Sequence, residues 1–283
     1  MHPLRLGSTL RMFVVAGACA LGAQSASAFA LFPLDAGHSL KWGDNANGTP
    51  GGTIHWSLLA EGTPGGSYCG TACPGNALTS LNIENGPGAG YTLTPLTSLT
   101  SVIASAFSKW SSVANITFIG PDLDSGLAIN DPAAASPEIR IGVYAFSSGG
   151  GAVGFAPPPN GGTGAGDIIF DANSFYAFQA GNDGDPFPNG STAPNDFESL
   201  LLHEMGHALG LAHPSGADAV CQVMDVSPAC LFHINRQLDA DDVAGAQFLY
   251  GAAPAPVPLP SALWMLGGAV GLLGMTRRYR SLS

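Results

Sequence analysis

The sequence predicts an α+β domain over residues 31–251, and three observations predict it. Short apolar runs with period-two alternation recur between clusters of Gly, Pro, Ser and Asn. Three longer segments carry helical spacing instead. The 39 glycines and 22 prolines among 283 residues call for many turns between short elements.

The elements follow in chain order. "GTIHWSLL", residues 52–59, reads as a strand. Residues 97–113 place Val102, Ile103, Ala106, Phe107, Trp110 and Val113 on one face, so a long amphipathic helix is expected. "NITFI" and "EIRIGVYAF" read as strands, the second alternating Ile139, Ile141, Val143 and Ala145. Residues 148–155 read as a short edge strand, and "GDIIFD" follows as another after a Gly/Pro-rich loop. A helix is expected from Asn195, with Asn195 as its cap and Glu198 three residues on. The final helix is placed at 240–250 with Asp239 as its cap. No internal repeat is found.

The two ends differ from this body. Arg5 and Arg11 flank the start of an apolar run over 12–21, and an A-x-A-like site stands at 26–28. Residues 1–30 therefore read as a signal peptide cleaved after Ala28 or Ala30, with Cys19 as a faint lipoprotein-like alternative. A Pro/Ala linker, 252–260, leads to an apolar segment over 259–276 and then Arg277, Arg278 and Arg280. About 18 apolar residues just span a bilayer, with the arginines on the cytoplasmic side.

Without the arginines of both ends, the body keeps four basic residues against all twenty acidic ones, about −16. That balance disfavours nucleic acid and anionic lipid as partners, and most of the carboxylates serve solubility. A monomer is expected. Cys69, Cys73, Cys221 and Cys230 remain after leader removal, an even number in an oxidising compartment. Proximity favours Cys69 with Cys73 and Cys221 with Cys230, while spacing leaves the other two connectivities open.

The chemistry concentrates in "HEMGHALGLAH", residues 203–213. On a helix, His203 and His207 project from one face a turn apart and can share one metal ion, while Glu204 stands beside it. Gly210 lets the backbone leave the helix sharply, so His213 can return as a third ligand. Three neutral imidazoles leave zinc its full charge, and a water on it would have its pKa lowered toward roughly 7. Glu204 is then the general base toward that water in peptide hydrolysis. The plain alternative is a helix with unrelated histidines, which the extended motif disfavours because it fixes three ligands, a base and a turn glycine together.

With these residues the sequence resembles the metzincin zinc endopeptidases, and among them the matrixin-like group. "CQVMDVS" puts Met224 eleven residues after His213, like the family's Met-turn, and "LDADDVAGAQFLYG" is similar to its closing helix. "VIASAFSKWSSVANITF" is similar to the family's first helix and next strand. Lys41-Trp42 and the strand containing Trp56 are loosely similar to the domain's start. The resemblance implies a twisted mixed sheet above an active-site helix, a small loop-rich lower subdomain, and a substrate cleft between them. It also implies substrate pairing on "GGGAVGF", residues 149–155, and a pocket walled by the segment between Met224 and Asp239. Asp167 and Asp171 match family carboxylates at metal-binding loops, including a calcium site. The tail resembles PEP-CTERM sorting signals of the "VPLPA" variant, beginning at Val257 with Ser261 in place of alanine. That implies a Gram-negative envelope, an exosortase-like partner enzyme, and a protein held at or released from the cell surface.

The chain departs from the family in three ways. Val153 and Ile169 stand where histidines would hold a structural zinc, so that ion is expected to be missing. Val226 replaces a tyrosine that some relatives place two residues after the Met-turn methionine. No latency cysteine with its flanking motif precedes Lys41. The leading expectation is an exported, zinc-dependent endopeptidase. The rival is an envelope protein with a structural or adhesive role that keeps a metal site without turnover.

Overall fold

A computed structural model describes residues 29–159, 162–214, 221–228 and 230–255. Residues 1–28 of the expected leader, the 259–276 segment and the arginine tail lie outside the described residues, while Ala30, the last residue of that leader, is described. No helix among the described residues is long and apolar enough to cross a membrane.

The main sheet has five strands: β2 (Gly52–Leu58), β5 (Ile116–Asp122), β6 (Ile139–Tyr144), β7 (Ala152–Gly154) and β8 (Ile168–Asp171). Their spatial order is β5-β2-β6-β8-β7. The first four are mutually parallel, and β7 closes one edge antiparallel to β8. Every residue of β6 and β8 is buried, as parallel strands covered on both faces require. Period two sorts their side chains: Ile139, Ile141, Val143, Ile168 and Phe170 enter the main core. Tyr144 and Ile169 enter a second cluster on the opposite face.

The main core is filled by two helices, α1 (Thr100–Val113) and α2 (Phe197–Ala208). Ile103, Phe107 and Trp110 of α1 are buried there, the face expected from the sequence. The helix starts three residues later than that spacing suggests, because 3-10 geometry takes Leu96–Leu99. The closing helix α3 (Ala240–Tyr250) lies where expected, with Asp239 as N-cap.

For α2 the cap differs from expectation. Asp196, not Asn195, is the N-cap, and its carboxylate accepts from Ser199 N at 3.0 Å. Asn195 is committed elsewhere: it pairs with Tyr176, and its side-chain amide donates to Ser174 Oγ and Phe175 O.

A second sheet joins β10 (Asn195–Asp196), β9 (Phe175–Ala177), β3 (Ser80–Glu84) and β4 (Tyr91–Pro95) in that order. None of its strands was expected. The short pair β1 (Ala30–Leu31) and β11 (Leu211–Ala212) clamps the beginning of the described chain beside the end of α2. Both Cys69–Cys73 and Cys221–Cys230 are bonded.

Candidate active site

Helix α2 carries the site. Its first turn is anchored at Asp196, whose side chain is fully buried against Arg236. Its last carbonyls are held by Trp42 Nε1, donating to Ala208 O at 2.8 Å, and Tyr250 Oη, donating to Leu209 O at 2.6 Å. With both ends fixed, His203 and His207 stand one turn apart, ring centroids separated by 4.7 Å.

The backbone then reverses at Gly210, at φ +103°, where a Cβ would come within 2.2 Å of Leu40 O. Only glycine fits that turn. It brings His213 back, placing its Nε2 3.0 Å from Nε2 of both His203 and His207. The residue after β1 holds the turn from outside, with Phe32 N donating to Gly210 O at 3.0 Å.

The outer ring nitrogens fix the tautomers. Nδ1 of His203 donates to Val223 O at 2.7 Å, and Nδ1 of His207 to Leu211 O at 2.8 Å. Their Nε2 lone pairs therefore both face inward. Burial, joined by the neighbouring His207, lowers His203 to about 3. Burial likewise lowers His207 to about 4 and draws His213 down. All three are thus neutral near pH 7, the form that ligates metal. The ring nitrogens lie within 4.8 Å of one another. Three converging neutral lone pairs repel one another unless a cation lies among them. Zinc–nitrogen bonds of about 2.0–2.1 Å in tetrahedral array put such nitrogens roughly 3.3 Å apart, close to the observed spacing. The donor set fits zinc.

Glu204 faces the edge strand, not the ring nitrogens. Gly154 N donates to its Oε2 at 2.5 Å, and burial raises the carboxyl to about 7 against that hydrogen bond. Met224 is buried under α2: a Cβ on Gly206 would meet its Sδ at 2.2 Å. Asp242 of α3 accepts from Val223 N at 3.0 Å and Met224 N at 3.2 Å. The closing helix therefore fixes the turn whose Val223 carbonyl orients His203.

Asp167 and Asp171 do not converge on this site. Asp167 Oδ1 accepts from Arg140 N at 2.8 Å, and Asp171 Oδ1 from Phe146 N and Asn173 N at 3.0 and 2.9 Å.

A cavity of about 410 Å³ opens beside the triad, lined among others by Ala152, Leu200, Val223, Leu231 and Phe232. Its far wall is a ribbon in which Phe187 N donates to Phe232 O and Ile234 N to Asp185 O. Arg236 ties this wall to α2, its Nε donating to Asp196 Oδ2 at 2.9 Å and its Nη2 to Gln179 O at 2.9 Å. Sequence reading missed Arg236, Asp196 and the part played by Asp242. The one signal available was that Arg236 is among only four basic residues in the body.

The Matrixin family model matches residues 90–251, more than half of the chain. The chain belongs to the matrixin family. Metalloendoproteinase 1 of Glycine max is 33% identical over 154 residues, covering 54% of this chain and 46% of that protein. Metalloendoproteinase 2-MMP of Arabidopsis thaliana is 32% identical over 173 residues, 56% of this chain and 39% of the relative. Karilysin of Tannerella forsythia is 29% identical over 171 residues, 58% and 30%. The chain thus spans less than half the length of each of these relatives. All of the α2 histidines, Met224 and α3 of this matrixin lie inside the matched stretch.

Proposed function

We propose that this matrixin is a zinc-dependent endopeptidase. One observation carries the reading: three Nε2 atoms converge on one point while the next residue on α2, Glu204, holds a buried carboxylate against the edge strand. His203, His207 and His213 would hold the zinc. When bound, zinc supplies a Lewis acid that polarises a carbonyl and makes water a stronger acid.

The chain's own residues do the rest. β7 is the end strand of its sheet, and beyond the Gly154 N–H held by Glu204 its outer edge is where an extended peptide can pair through its main chain. The apolar lining beside the triad accepts a side chain adjoining the scissile bond and fixes the peptide's register. Glu204 Oε2, raised toward neutrality by burial, can take a proton from the attacking water and return it to the departing amine. Gly154 N–H steadies the carboxylate and ties it to the strand that carries the substrate. Met224 fills the space beneath α2 and keeps the histidines in register.

Export belongs to the same proposal: residues 1–30 as a leader, 31–251 as the catalytic domain, 252–260 as a Pro/Ala linker, and 261–283 as a sorting signal with a membrane segment and basic tail, read by an exosortase-like enzyme. A peptide-library digest of wild type and Glu204→Ala, with zinc measured in both, tests the activity. Equal zinc and a loss of roughly 10²–10⁴-fold in cleavage is expected for the variant. Bound zinc with no cleavage by wild type would favour the non-catalytic envelope role instead.

A further inference from the structure

The proposed reading seats substrate on β7, yet that strand has only three residues, all part-exposed. Its inner side rests on α2, so closely that a Cβ on Gly154 would stand 2.2 Å from Glu204 O. Its outer side rests on something else. Val153 pairs with Ile169, and both join the second apolar cluster with Leu59, Cys69, Cys73 and Tyr144. Phe155, next after β7, lies 5.0 Å from the Tyr68 ring.

Residues 59–79 form this support. Leu59 presses on β6 so tightly that a Cβ on Gly142 would meet its Cδ1 at 2.1 Å. Tyr144 Oη donates to Thr63 O at 3.0 Å, and Ser147 N to Thr71 O at 3.0 Å. The Cys69–Cys73 bond closes the centre of the loop, with Cys73 only 1% exposed. The whole loop precedes residue 90, outside the stretch that the Matrixin model matches.

Val153 and Ile169 offer no ligand atom. Among the described residues, the one group of three or more His, Cys, Asp and Glu able to share an ion is the histidine triad. Of the neighbouring charges, buried Arg140 donates to Asp124 Oδ1 at 2.7 Å and to Leu127 O at 2.8 Å. Buried Asp167 accepts from Arg140 N through Oδ1 and leaves Oδ2 without a hydrogen-bond partner among the described residues, a single ligand atom where an ion takes several.

We propose that the stapled 59–79 loop is the positioning element for β7, doing by apolar packing what a structural ion would do, so that the domain carries a single metal site. Dense packing fixes a strand without any ion to lose. A short disulfide narrows the conformations open to the loop before it packs. The substrate edge is then independent of the metal supply outside the cell. This inference rests on β7 being the substrate edge, and its test separates the two claims.

The test uses the full chain, with Cys69→Ser/Cys73→Ser and, as a milder variant, Tyr68→Ser. Wild type should bind one zinc per chain in calcium-containing buffer, and a calcium-selective chelator should leave its Tm unchanged. Both variants should keep that one zinc. In both, hydrogen exchange at the Phe155 and Asp171 amides, bonded to Asp167 O and Gly151 O, should quicken roughly tenfold. KM for an extended peptide should rise roughly tenfold with kcat within about twofold, and Tyr68→Phe should restore it. A second ion whose removal lowers Tm, or unchanged exchange in both variants, overturns the proposal. If wild type cleaves no peptide, the catalytic reading falls, while ion count and exchange still decide this one.

Discussion

At the scale of single residues, the site depends on a few positions where no other side chain fits. Gly210 combines φ +103° with a Cβ position 2.2 Å from Leu40 O. Gly210→Ala is expected to cost at least about 1–3 kcal/mol in backbone strain and to displace His213. Denaturant unfolding and a zinc titration would check this; a variant with wild-type stability and zinc affinity would refute it. His203, Glu204 and His207 were legible because helical spacing sets which side chains share a face, and the return of His213 was legible from Gly210 beyond the helix end. Their carbonyl partners, Val223 O and Leu211 O, were not legible, since each comes from a backbone that only the folded turns bring near.

Among elements, α2 is the one whose anchoring governs the rest. Asp196 caps it, accepts from Gln179 N at 2.9 Å and pairs with Arg236, which holds the pocket wall. Asp196→Ala removes a cap worth about 1 kcal/mol and takes the main carboxylate partner from a half-buried guanidinium that keeps Gln179 O and Glu198, so a total loss of about 2 kcal/mol is expected. Combining it with Arg236→Met should cost less than the sum of the two single changes, as read by a double-mutant cycle. Additive losses would show that the pair does not act as a unit. The long helices and the alternating β6 were readable from period alone. The second sheet was not: β9 and β10 have three and two residues, too few for any period to register, and their pairing partners are distant in sequence.

For the molecule as a whole, two carboxyls give opposite dependence on pH. Burial would raise Glu84, but hydrogen bonds from Thr192 N, Ser191 Oγ, Gly88 N and Thr192 Oγ1 outweigh it and hold it at about 2, below the ordinary 4.5. A folded pKa below the unfolded one gives stability that is whole above pH 4.5 and lost as pH falls toward 2. Asp242 is raised by burial to about 6 from 3.8, despite N–H donors from Asp239, Val223 and Met224. The folded state there holds its proton more tightly, so ionisation subtracts stability as pH rises from 3.8 to 6. Calorimetry of Glu84→Gln should show a lower Tm at pH 7 and a flatter loss below pH 4.5, while Asp242→Asn should flatten the span between 3.8 and 6. Parallel Tm profiles for wild type and both variants would contradict this.

The sequence by itself determined the α+β class, the helix carrying His203 and His207, the glycine turn to His213 and the methionine below them. Those features are local: each follows from spacing within about twenty residues. Only the tertiary structure decided that Asp196 and not Asn195 caps the helix, that Asp242 and Arg236 hold the two walls of the site, and that residues 59–79 lie under Val153. The cap is decided by Tyr176, which takes Asn195 into a strand pair, and Asp242 reaches the Val223 and Met224 amides from another element, as Arg236 reaches Asp196 across 40 positions. Such contacts depend on which surfaces remain to be buried once the local elements have formed.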